Sequence, residues 1–392
     1  MKSVSKLFFL FAAAAVFFPA KLDAAETANT FRPAWWCRGA HAQTIGGALW
    51  RADAEVTYER ERLDTPDGDF LDLDWLKADG RAPLVVVLHG LGSSSDSNYV
   101  RTMMEEVSNR GWQAVAVNAR GSTGPNRLTQ SDHSGKTEDL DWVIKKIIER
   151  GITDEIYLVG FSAGGNKVVK WLGENGDEVP VQVKKAAAVS GAYDLAEAVE
   201  NLDQGFNRRM YTGRMLKGLK KQVFAKREKV SGVIDLKKAE EAETFAVYDA
   251  VVTAPMNGFK DERDFWARAS AAPVLAAVQR PVLMIHARND SFLPEEDLPL
   301  ETIRQSKYLK LMLTPDGGHL GFVSGKVPFR LDRWLEKTTL DFLQAKEPEA
   351  AADQESWPHG FANFMTSQDQ ARQSAEDERI KSSILPDESS LE

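Results

Sequence analysis

Three side chains that lie far apart in the sequence have the types and the order needed for nucleophilic catalysis. The first is Ser162, in the run Gly160-Phe161-Ser162-Ala163-Gly164, which follows a short apolar stretch and precedes a helical pattern. This arrangement is typical of a nucleophile elbow, a strained strand-to-helix turn whose small neighbours let the backbone pass. Because a serine hydroxyl is a weak nucleophile until a base removes its proton, a histidine and an acid are expected to accompany it.

His319 is the predicted base. Of the six histidines, only His319 and His359 follow a suitable acid late in the chain, and His359 lies in a polar tail. His319 lies in the glycine-rich run 316–321, directly after the last predicted strand. Glycines on both sides of the imidazole would let this loop carry the ring over the ends of the strands.

Asp290 is the predicted acid, whose role would be to hold the tautomer of the imidazole and to stabilise the imidazolium. It ends the run His286–Asp290, which follows an apolar strand pattern at Val282–Ile285. It also keeps the chain order of serine, acid and histidine that accompanies a nucleophile elbow. Asp194, which follows the preceding strand pattern, remains the alternative acid.

Two backbone amides are predicted to stabilise the oxyanion that forms when a serine attacks a carbonyl carbon. One belongs to Ala163, the residue after the nucleophile, and the other to the loop His89–Ser93, which follows an apolar strand pattern. This pair of positions is the one that accompanies a nucleophile elbow. Within the loop we expect Leu91 to be the donor, and we expect His89 to support the loop rather than to take part in catalysis.

Alternating strand and helix patterns surround these residues and predict the layers that position them. Continuous apolar runs indicate strands covered on both faces, and apolar residues three or four apart indicate helices. Such alternation with short connections predicts an α/β fold, with a mostly parallel central sheet flanked by helices. The predicted strands are Val56–Leu63, Phe70–Trp75, Leu84–Leu88, Ala114–Val117, Ile156–Val159, Ala186–Val189, Val282–Ile285 and Leu309–Leu313, and the predicted helices are Tyr99–Arg110, Asp139–Glu149, Asn166–Leu172 and Trp334–Leu343.

A long, mostly helical interruption, from roughly Leu195 to Leu275, separates two of the predicted core strands. We expect it to form a cap over the carboxyl edge of the sheet, where ligands bind in open α/β sheets. The predicted organisation is a signal-like segment (1–25), an irregular, aromatic-rich lead-in (26–54), the first part of the core (55–194), the helical cap (195–275), the second part of the core (276–345) and an acidic tail expected to be disordered (346–392).

Short stretches distributed from about residue 31 to residue 345 carry a further signal. They are Gly39–Thr44, Pro66–Phe70, His89–Ser93, Asn118–Gly121, His133–Gly135, Gly160–Asn166, Asn257–Phe259 and Gly317–Phe322. Through them the chain resembles the YheT-like branch of the α/β-hydrolases, which also contains yeast medium-chain ethyl ester synthase/esterases and mammalian membrane-anchored acylglycerol and phospholipid hydrolases. The resemblance implies the α/β-hydrolase fold with a helical cap insertion, the triad Ser162, Asp290 and His319, and a short- or medium-chain acyl ester as substrate. It departs at both ends, because the bacterial members compared usually lack a signal-like N-terminus and a long acidic tail.

The net charge of −9 is concentrated near the C-terminus, where residues 347–392 hold eleven acids and three bases. The rest of the chain is close to neutral, which argues against a nucleic-acid partner, since such a partner requires a basic domain.

There is no metal-ligand spacing and no phosphate-binding loop, so neither a metal nor a cofactor is predicted. The single cysteine, Cys37, excludes an intramolecular disulfide and is expected to be buried or partly buried.

The N-terminus has the pattern of a secretory signal. Lys2 and Lys6 precede the apolar run Leu7–Phe18, and small residues follow up to Ala25. This run of 12 residues is short for a hydrocarbon core of ~30 Å. We therefore expect an exported protein, periplasmic or secreted. A membrane anchor formed by the same segment, or a cytoplasmic protein, is the alternative.

The segment Arg208–Lys229 carries nine bases and one acid, and apolar residues recur at every fourth position from Tyr211 to Val223. This pattern predicts a basic amphipathic helix in the cap. One interpretation is contact with a membrane surface or with acyl substrates at an interface. An ordinary cap helix with a solvated basic face is the interpretation that we prefer.

Together these features predict a serine hydrolase that cleaves carboxylic esters through an acyl-enzyme on Ser162. The expected substrates are esters with a short or medium acyl chain, or lipid-like esters. Two alternatives remain open: transfer of the acyl group to an alcohol by the same residues, and a catalytically silent binding protein on a hydrolase fold. The presence of Ser162, Asp290 and His319 together argues against a silent protein. The sequence predicts neither the oligomeric state nor the acyl-chain length.

Overall fold

The computed structural model describes residues 31–51, 54 and 56–346. Its centre is one eight-stranded sheet, whose strands are β1 (Glu59–Asp64), β2 (Phe70–Leu76), β3 (Leu84–Leu88), β4 (Gln113–Asn118), β5 (Ile156–Phe161), β6 (Val183–Val189), β7 (Val282–Ala287) and β8 (Leu309–Thr314). The strand order is β1-β2-β4-β3-β5-β6-β7-β8. β1 pairs antiparallel with β2, and β2 with β4, whereas β3 to β8 run parallel to one another. The predicted α/β fold with a mostly parallel sheet is confirmed.

Fourteen helices of the described residues flank the sheet or lie in the connection between β6 and β7. They are α1 (Ala40–Trp50), α2 (Asn98–Asn109), α3 (Glu138–Glu149), α4 (Ala163–Asn175), α5 (Leu195–Leu202), α6 (Gly205–Asn207), α7 (Gly213–Phe224), α8 (Arg227–Val230), α9 (Leu236–Glu241), α10 (Phe245–Tyr248), α11 (Ala254–Asn257), α12 (Glu262–Ala269), α13 (Leu300–Gln305) and α14 (Trp334–Gln344). In β3, Leu84, Val86 and Leu88 face one apolar layer, which contains residues of α3, α4 and α13. Val85 and Val87 face the other layer, built with α2 and α14. This alternation follows from the two-residue period of a strand and explains why every residue of β3 is apolar.

Residues 195–277, which we call the helical insertion, connect β6 to β7. They contain α5 to α12, and apolar side chains from these helices form a core of their own. The sequence pattern predicted one basic helix over Arg208–Lys229, and this prediction is wrong because the structure divides the segment. A π-helical turn at Arg208–Thr212 precedes α7, and the chain leaves helical geometry at Lys226. The Lys226 ammonium donates to the carbonyl oxygens of Leu128, Thr129 and Gln130, which connects this end of the segment to the loop after β4.

The prediction of an irregular lead-in is wrong for residues 40–50, which form α1. Gly46 and Gly47 lie in this segment, and glycine disfavours helices in isolation, so the helix has little local signal. The helix forms because tertiary contacts stabilise it. A side chain on Gly47 would come within 2.6 Å of the Cα atom of Gly321. Buried Gln43 accepts the N–H of Val323 at 2.6 Å and donates to the carbonyl oxygen of the same residue at 3.1 Å.

The predicted signal-like segment and all of the acidic tail beyond residue 346 lie outside the described residues. Export therefore stays a prediction. The division into a core and a cap stays a prediction as well. No helix within residues 31–51, 54 and 56–346 is both long and apolar enough to cross a membrane. Cys37 is buried and unpaired, as its residue type predicted.

Candidate active site

Ser162 lies on the tight turn between β5 and α4. Its backbone has φ 53° and ψ −118°, a left-handed conformation that is strained for any residue except glycine. The N–H of Ser162 donates to the carbonyl oxygen of Val189 at 2.9 Å, which ties the turn to β6. A side chain on Gly160 would overlap the carbonyl of Gly164, and one on Gly164 would overlap the carbonyl of Leu88. The two glycines are therefore needed for the turn that exposes the hydroxyl.

The structure brings the three predicted side chains into one hydrogen-bonded row. Nε2 of His319 lies 2.9 Å from Oγ of Ser162. On the other side of the ring, Nδ1 of His319 lies 2.9 Å from Oδ2 and 3.2 Å from Oδ1 of Asp290. Residues 157 positions apart in the chain thus meet at hydrogen-bonding distance.

Asp290 is buried, with 2% of the residue exposed. Burial favours its neutral form, but the charge of His319 and its hydrogen bond outweigh burial, so the pKa of Asp290 lies below its ordinary value. Oδ1 of Asp290 also accepts the N–H groups of Phe292 and Leu293 at 2.9 Å and 3.2 Å. An ionised carboxylate accepts only, so Nδ1 of His319 carries a proton and donates it. In the neutral imidazole this leaves the lone pair of Nε2 facing the hydroxyl of Ser162.

Two side chains outside the triad hold the loop that carries His319. The N–H of His319 donates to Oγ1 of Thr44 in α1 at 2.9 Å. The N–H of Gly318 donates to Oδ1 of Asn289 at 3.1 Å. Gly318 has φ +57°, and a side chain there would overlap the carbonyl oxygen of Ala40. Neither Thr44 nor Asn289 was predicted from the sequence. Asn289 is adjacent to the predicted acid, which was the one available signal for it.

Asp194, the alternative acid, has a different position in the structure. It precedes α5, and its Oδ1 accepts the N–H groups of Ala196 and Glu197 at 2.9 Å and 3.4 Å. These are the contacts of a helix N-cap. Asp290, and not Asp194, therefore contacts the imidazole of His319.

The loop between β3 and α2 passes directly beside the serine. A side chain on Gly90 would come within 3.2 Å of the Cβ atom of Ser162. Leu91, the next residue, and Ala163 line the same cavity as Ser162 and His319. Ala163 is the first residue of α4, and the first amides of a helix have no acceptor within the helix. Both predicted oxyanion donors are thus residues of the wall around the hydroxyl.

His89 supports this loop. Its Nδ1 donates to the carbonyl oxygen of Gly90 at 2.8 Å, and its Nε2 accepts the N–H of Ala119 at 3.1 Å. Burial lowers the pKa of His89 below its ordinary value, so the ring remains neutral. A neutral imidazole with one donor and one acceptor satisfies both contacts.

A cavity of about 110 Å³ opens beside Ser162, between the sheet and the helical insertion. This is roughly ten times the space that one water needs, so the cavity has room for an organic group. Most of its wall is apolar, which suits an acyl chain. The apolar residues include Leu195, Leu202, Met215, Leu219, Val223 and Phe292. Polar residues that sequence analysis did not assign to a site also line it, among them His133, Lys226 and Asp249.

Arg120 lines the cavity as well, but carboxylates occupy its guanidinium. Nε and Nη2 donate to the two oxygens of Asp139 at 2.9 Å and 2.6 Å, and Nη1 donates to Asp67 at 2.6 Å. These contacts join the loop after β4 to the turn between β1 and β2.

Among the described residues, no group of three or more His, Cys, Asp or Glu side chains is arranged to hold a metal ion.

A parallel sheet with a serine on the turn after β5, and a histidine and an aspartate on the loops after β8 and β7, is the architecture of the α/β-hydrolase class. The family model described as alpha/beta hydrolase fold matches residues 83–326, and the chain belongs to this family. YheT of Escherichia coli (strain K12) is 32% identical over 77% of this chain and 89% of its own length. Phospholipase ABHD3 of Homo sapiens is 28% identical, over 81% of this chain and 79% of its own length. Monoacylglycerol lipase of Saccharomyces cerevisiae is 26% identical, over 69% of this chain and 60% of its own length. The predicted resemblance to the YheT-like branch is confirmed, and the chain is a hydrolase of this class.

Proposed function

We propose that the protein hydrolyses carboxylic esters through an acyl-enzyme on Ser162. The observation that carries the proposal is the row of hydrogen bonds from Asp290 through His319 to Ser162, which ends in a largely apolar cavity. The names phospholipase and monoacylglycerol lipase, carried by two relatives, support an ester substrate.

In the first step, Nε2 of His319 takes the proton of the Ser162 hydroxyl while Oγ attacks the carbonyl carbon of the ester. The imidazolium that forms is stabilised by the carboxylate of Asp290, which remains ionised. The N–H groups of Leu91 and Ala163 donate to the oxyanion of the tetrahedral intermediate. Such donors stabilise charge that develops in the transition state, and removing one typically costs about 10²–10³ in rate.

Collapse of the intermediate breaks the bond to the alkoxy oxygen, and the imidazolium protonates the departing alcohol. Ser162 then carries the acyl group. His319 next takes a proton from a water molecule, which attacks the acyl carbon. The imidazolium then returns a proton to Oγ of Ser162 as the bond to the acyl group breaks and the carboxylic acid leaves. The same base serves both steps and the same hydroxyl carries the acyl group, so loss of either His319 or Ser162 impairs the whole cycle.

The substrate class that we propose is an ester with a short or medium acyl chain, or a lipid-like ester. The support is the apolar wall supplied by the helical insertion, including Leu202, Met215 and Leu219. An acyl chain that lies against this wall is removed from water. Burial of its apolar surface favours binding by about 25 cal/mol for each Å².

The test is the hydrolysis of a panel of p-nitrophenyl esters, from acetate to dodecanoate, by the wild type and by Ser162→Ala. We expect turnover that depends on chain length, and a loss on the order of 10⁶ in kcat for the variant. Equal rates for the two proteins would overturn the proposal.

Two measurements on the same samples separate hydrolysis from its rivals. Added ethanol should leave the free acid as the main product; an ethyl ester as the main product would instead indicate acyl transfer to an alcohol. A folded wild type that turns over no ester, and that also fails to react with a fluorophosphonate at Ser162, would indicate a binding protein.

A further inference from the structure

Asp249 is a buried carboxyl group in the wall of the cavity, and the proposed reaction does not use it. It lies in the π-helical turn Asp249–Thr253 of the helical insertion and is 6% exposed. Oδ1 accepts the hydroxyl of Thr253 at 2.7 Å, and Oδ2 accepts the indole N–H of Trp266 at 2.9 Å. Both donors are neutral, and within the part of the chain that the structure describes Asp249 has no ion-pair partner.

A carboxylate has about four acceptor sites on its two oxygens. Two of these sites on Asp249 are occupied by Thr253 and Trp266, so acceptor capacity remains. A buried charge without a cationic partner is costly unless further donors reach it. Because Asp249 lines the cavity together with Ser162, a bound molecule can supply such a donor.

His133 lines the same cavity on the side of the core. Its ring stands edge-on against Phe265, with ring centroids 5.5 Å apart, and Phe265 is the neighbour in sequence of Trp266, which contacts Asp249. Burial lowers the pKa of His133 to about 3, so the ring is neutral. Nδ1 accepts the N–H of Gly135 at 3.2 Å. The proton of the ring is therefore on Nε2, and His133 is a donor.

An acceptor and a neutral donor that line one cavity suit a hydroxyl group, which both donates and accepts. They suit an ammonium group less well, since it cannot accept from Nε2 of His133. The cationic side chains of Arg120 and Lys226 line the cavity too and disfavour a second cation. A phosphate is disfavoured by Asp249 itself, because two anions would then face each other.

We propose that Asp249 and His133 form a subsite that binds a hydroxyl group of the substrate, so that the preferred esters carry a hydroxyl in their alcohol or acyl part. This inference rests on the proposed function and specifies its substrate class. The carboxylate of Asp249 accepts the O–H, and Nε2 of His133 donates to the same oxygen. The apolar wall then receives the remaining chain of the ester.

The test uses two matched ester pairs in which a terminal hydroxyl replaces a methyl group. One pair is hydroxyethyl butanoate and propyl butanoate, which tests the alcohol side. The other is ethyl hydroxyhexanoate, with its hydroxyl at the chain end, and ethyl heptanoate, which tests the acyl side. The readout is the ratio of kcat/KM for the hydroxyl ester to kcat/KM for the methyl ester.

In at least one pair we expect the wild type to prefer the hydroxyl ester, and Asp249→Asn to lower the ratio on the order of tenfold, as for a hydrogen bond to a charged acceptor. Asp203→Asn is the matched control. Asp203 accepts the N–H groups of Phe245 and Ala246 in the same insertion but does not line the cavity. At pH 8, where Asp249 is ionised with or without the charge of Asp203, the ratio should therefore stay at the wild-type value. A wild type without preference in either pair, or an Asp249→Asn ratio equal to that of the wild type, would overturn the subsite.

If Asp249→Asn does not fold, the pH dependence of the wild-type ratio decides. Burial raises the pKa of Asp249 to about 6, the negative charges of Asp203 and Glu262 act in the same direction, and the hydrogen bonds from Trp266 and Thr253 oppose it. The ratio should fall as the pH decreases through about 6, because a protonated carboxyl is a weaker acceptor. Effects of pH on the steps that the two esters share cancel in the ratio. A ratio that is constant from pH 5 to 8 would overturn the subsite. Hydrolysis of no ester at all would instead overturn the proposed function, and the inference that rests on it.

Discussion

The ring of Phe292 stacks on the imidazole of His319, with centroids 4.3 Å apart and planes inclined by 25°. The backbone N–H of Phe292 donates to Oδ1 of Asp290 at 2.9 Å. One residue thus covers the face of the base and also contacts the acid. Phe292 and His319 both line the cavity beside Ser162.

Replacing the ring of Phe292 should make the imidazole of His319 more mobile. In Phe292→Leu the backbone contact to Asp290 remains, but the imidazole of His319 loses its stacking partner and samples more orientations. We expect kcat for p-nitrophenyl butanoate to fall on the order of tenfold, since small displacements of reacting groups are costly. Phe224→Leu, which lies in the helical insertion and outside the cavity wall, is the control. Wild-type kcat in Phe292→Leu would contradict an orienting role.

The choice between the two candidate acids is tested by a pair of identical substitutions. Asp290→Asn should lower kcat on the order of 10⁴, because an amide in this position favours the wrong tautomer of His319. Asp194→Asn should leave kcat within about a factor of three, because asparagine caps a helix about as well as aspartate. The reverse result would make Asp194 the functional acid.

The triad was predictable because each member follows an apolar run long enough to identify a strand. Ser162, Asp290 and His319 come directly after β5, β7 and β8, and parallel strands bring their carboxyl ends to one edge. Local chemistry therefore identified residues that only the tertiary structure brings together.

The support around the triad was not predictable in the same way. Thr44 in α1 contacts the loop that carries His319. The two glycines of α1 give this helix a weak local signal, and its packing against the same loop stabilises it. Phe292 and Asp249 have the residue types of an ordinary core phenylalanine and an ordinary helix aspartate. Their importance comes from distances to residues far along the chain, and no local pattern encodes these.

Removing the buried guanidinium of Arg120 should destabilise the fold. It leaves Asp139 and Asp69 as buried carboxylates without their cation, and breaking a buried pair typically costs about 3–5 kcal/mol. We expect Arg120→Met to lower the free energy of unfolding in urea at pH 7 by an amount of this order. Arg81→Met, which removes an exposed pair with Asp154, should cost less than about 1 kcal/mol. Similar losses in the two variants would contradict a structural role for Arg120.

The same variant should change how stability depends on pH. Burial favours the neutral carboxyl of Asp67, but hydrogen bonds from Arg120 and Thr65 outweigh it and lower the pKa of Asp67 to about 2. Because this value lies below that of the unfolded chain, near 4, the contribution to stability is complete above pH ~4 and is lost as the pH falls toward about 2. Urea unfolding between pH 5 and 2 should show a shallower decline in Arg120→Met than in the wild type. Parallel curves would contradict the coupling.

Two glycine substitutions should have opposite effects. Gly164→Ala places a Cβ atom against the carbonyl of Leu88, so the elbow must distort, and both the melting temperature and kcat should fall. Gly218 lies in α7, and nothing lies within 4 Å of the place that a Cβ atom on this residue would take. Gly218→Ala should raise stability by about 0.5–1 kcal/mol with kcat unchanged. Thermal unfolding and ester turnover of both variants check this, and an active, stable Gly164→Ala protein would contradict the packing at the elbow.

The decisive measurement is peptide mapping by mass spectrometry after the protein has reacted with a fluorophosphonate. We predict one adduct, on Ser162, together with complete loss of ester turnover, no adduct in Ser162→Ala, and much slower labelling in His319→Gln. A folded wild type that hydrolyses esters while Ser162 stays unmodified, or that labels equally fast without the imidazole, would show that residues 162 and 319 do not act together.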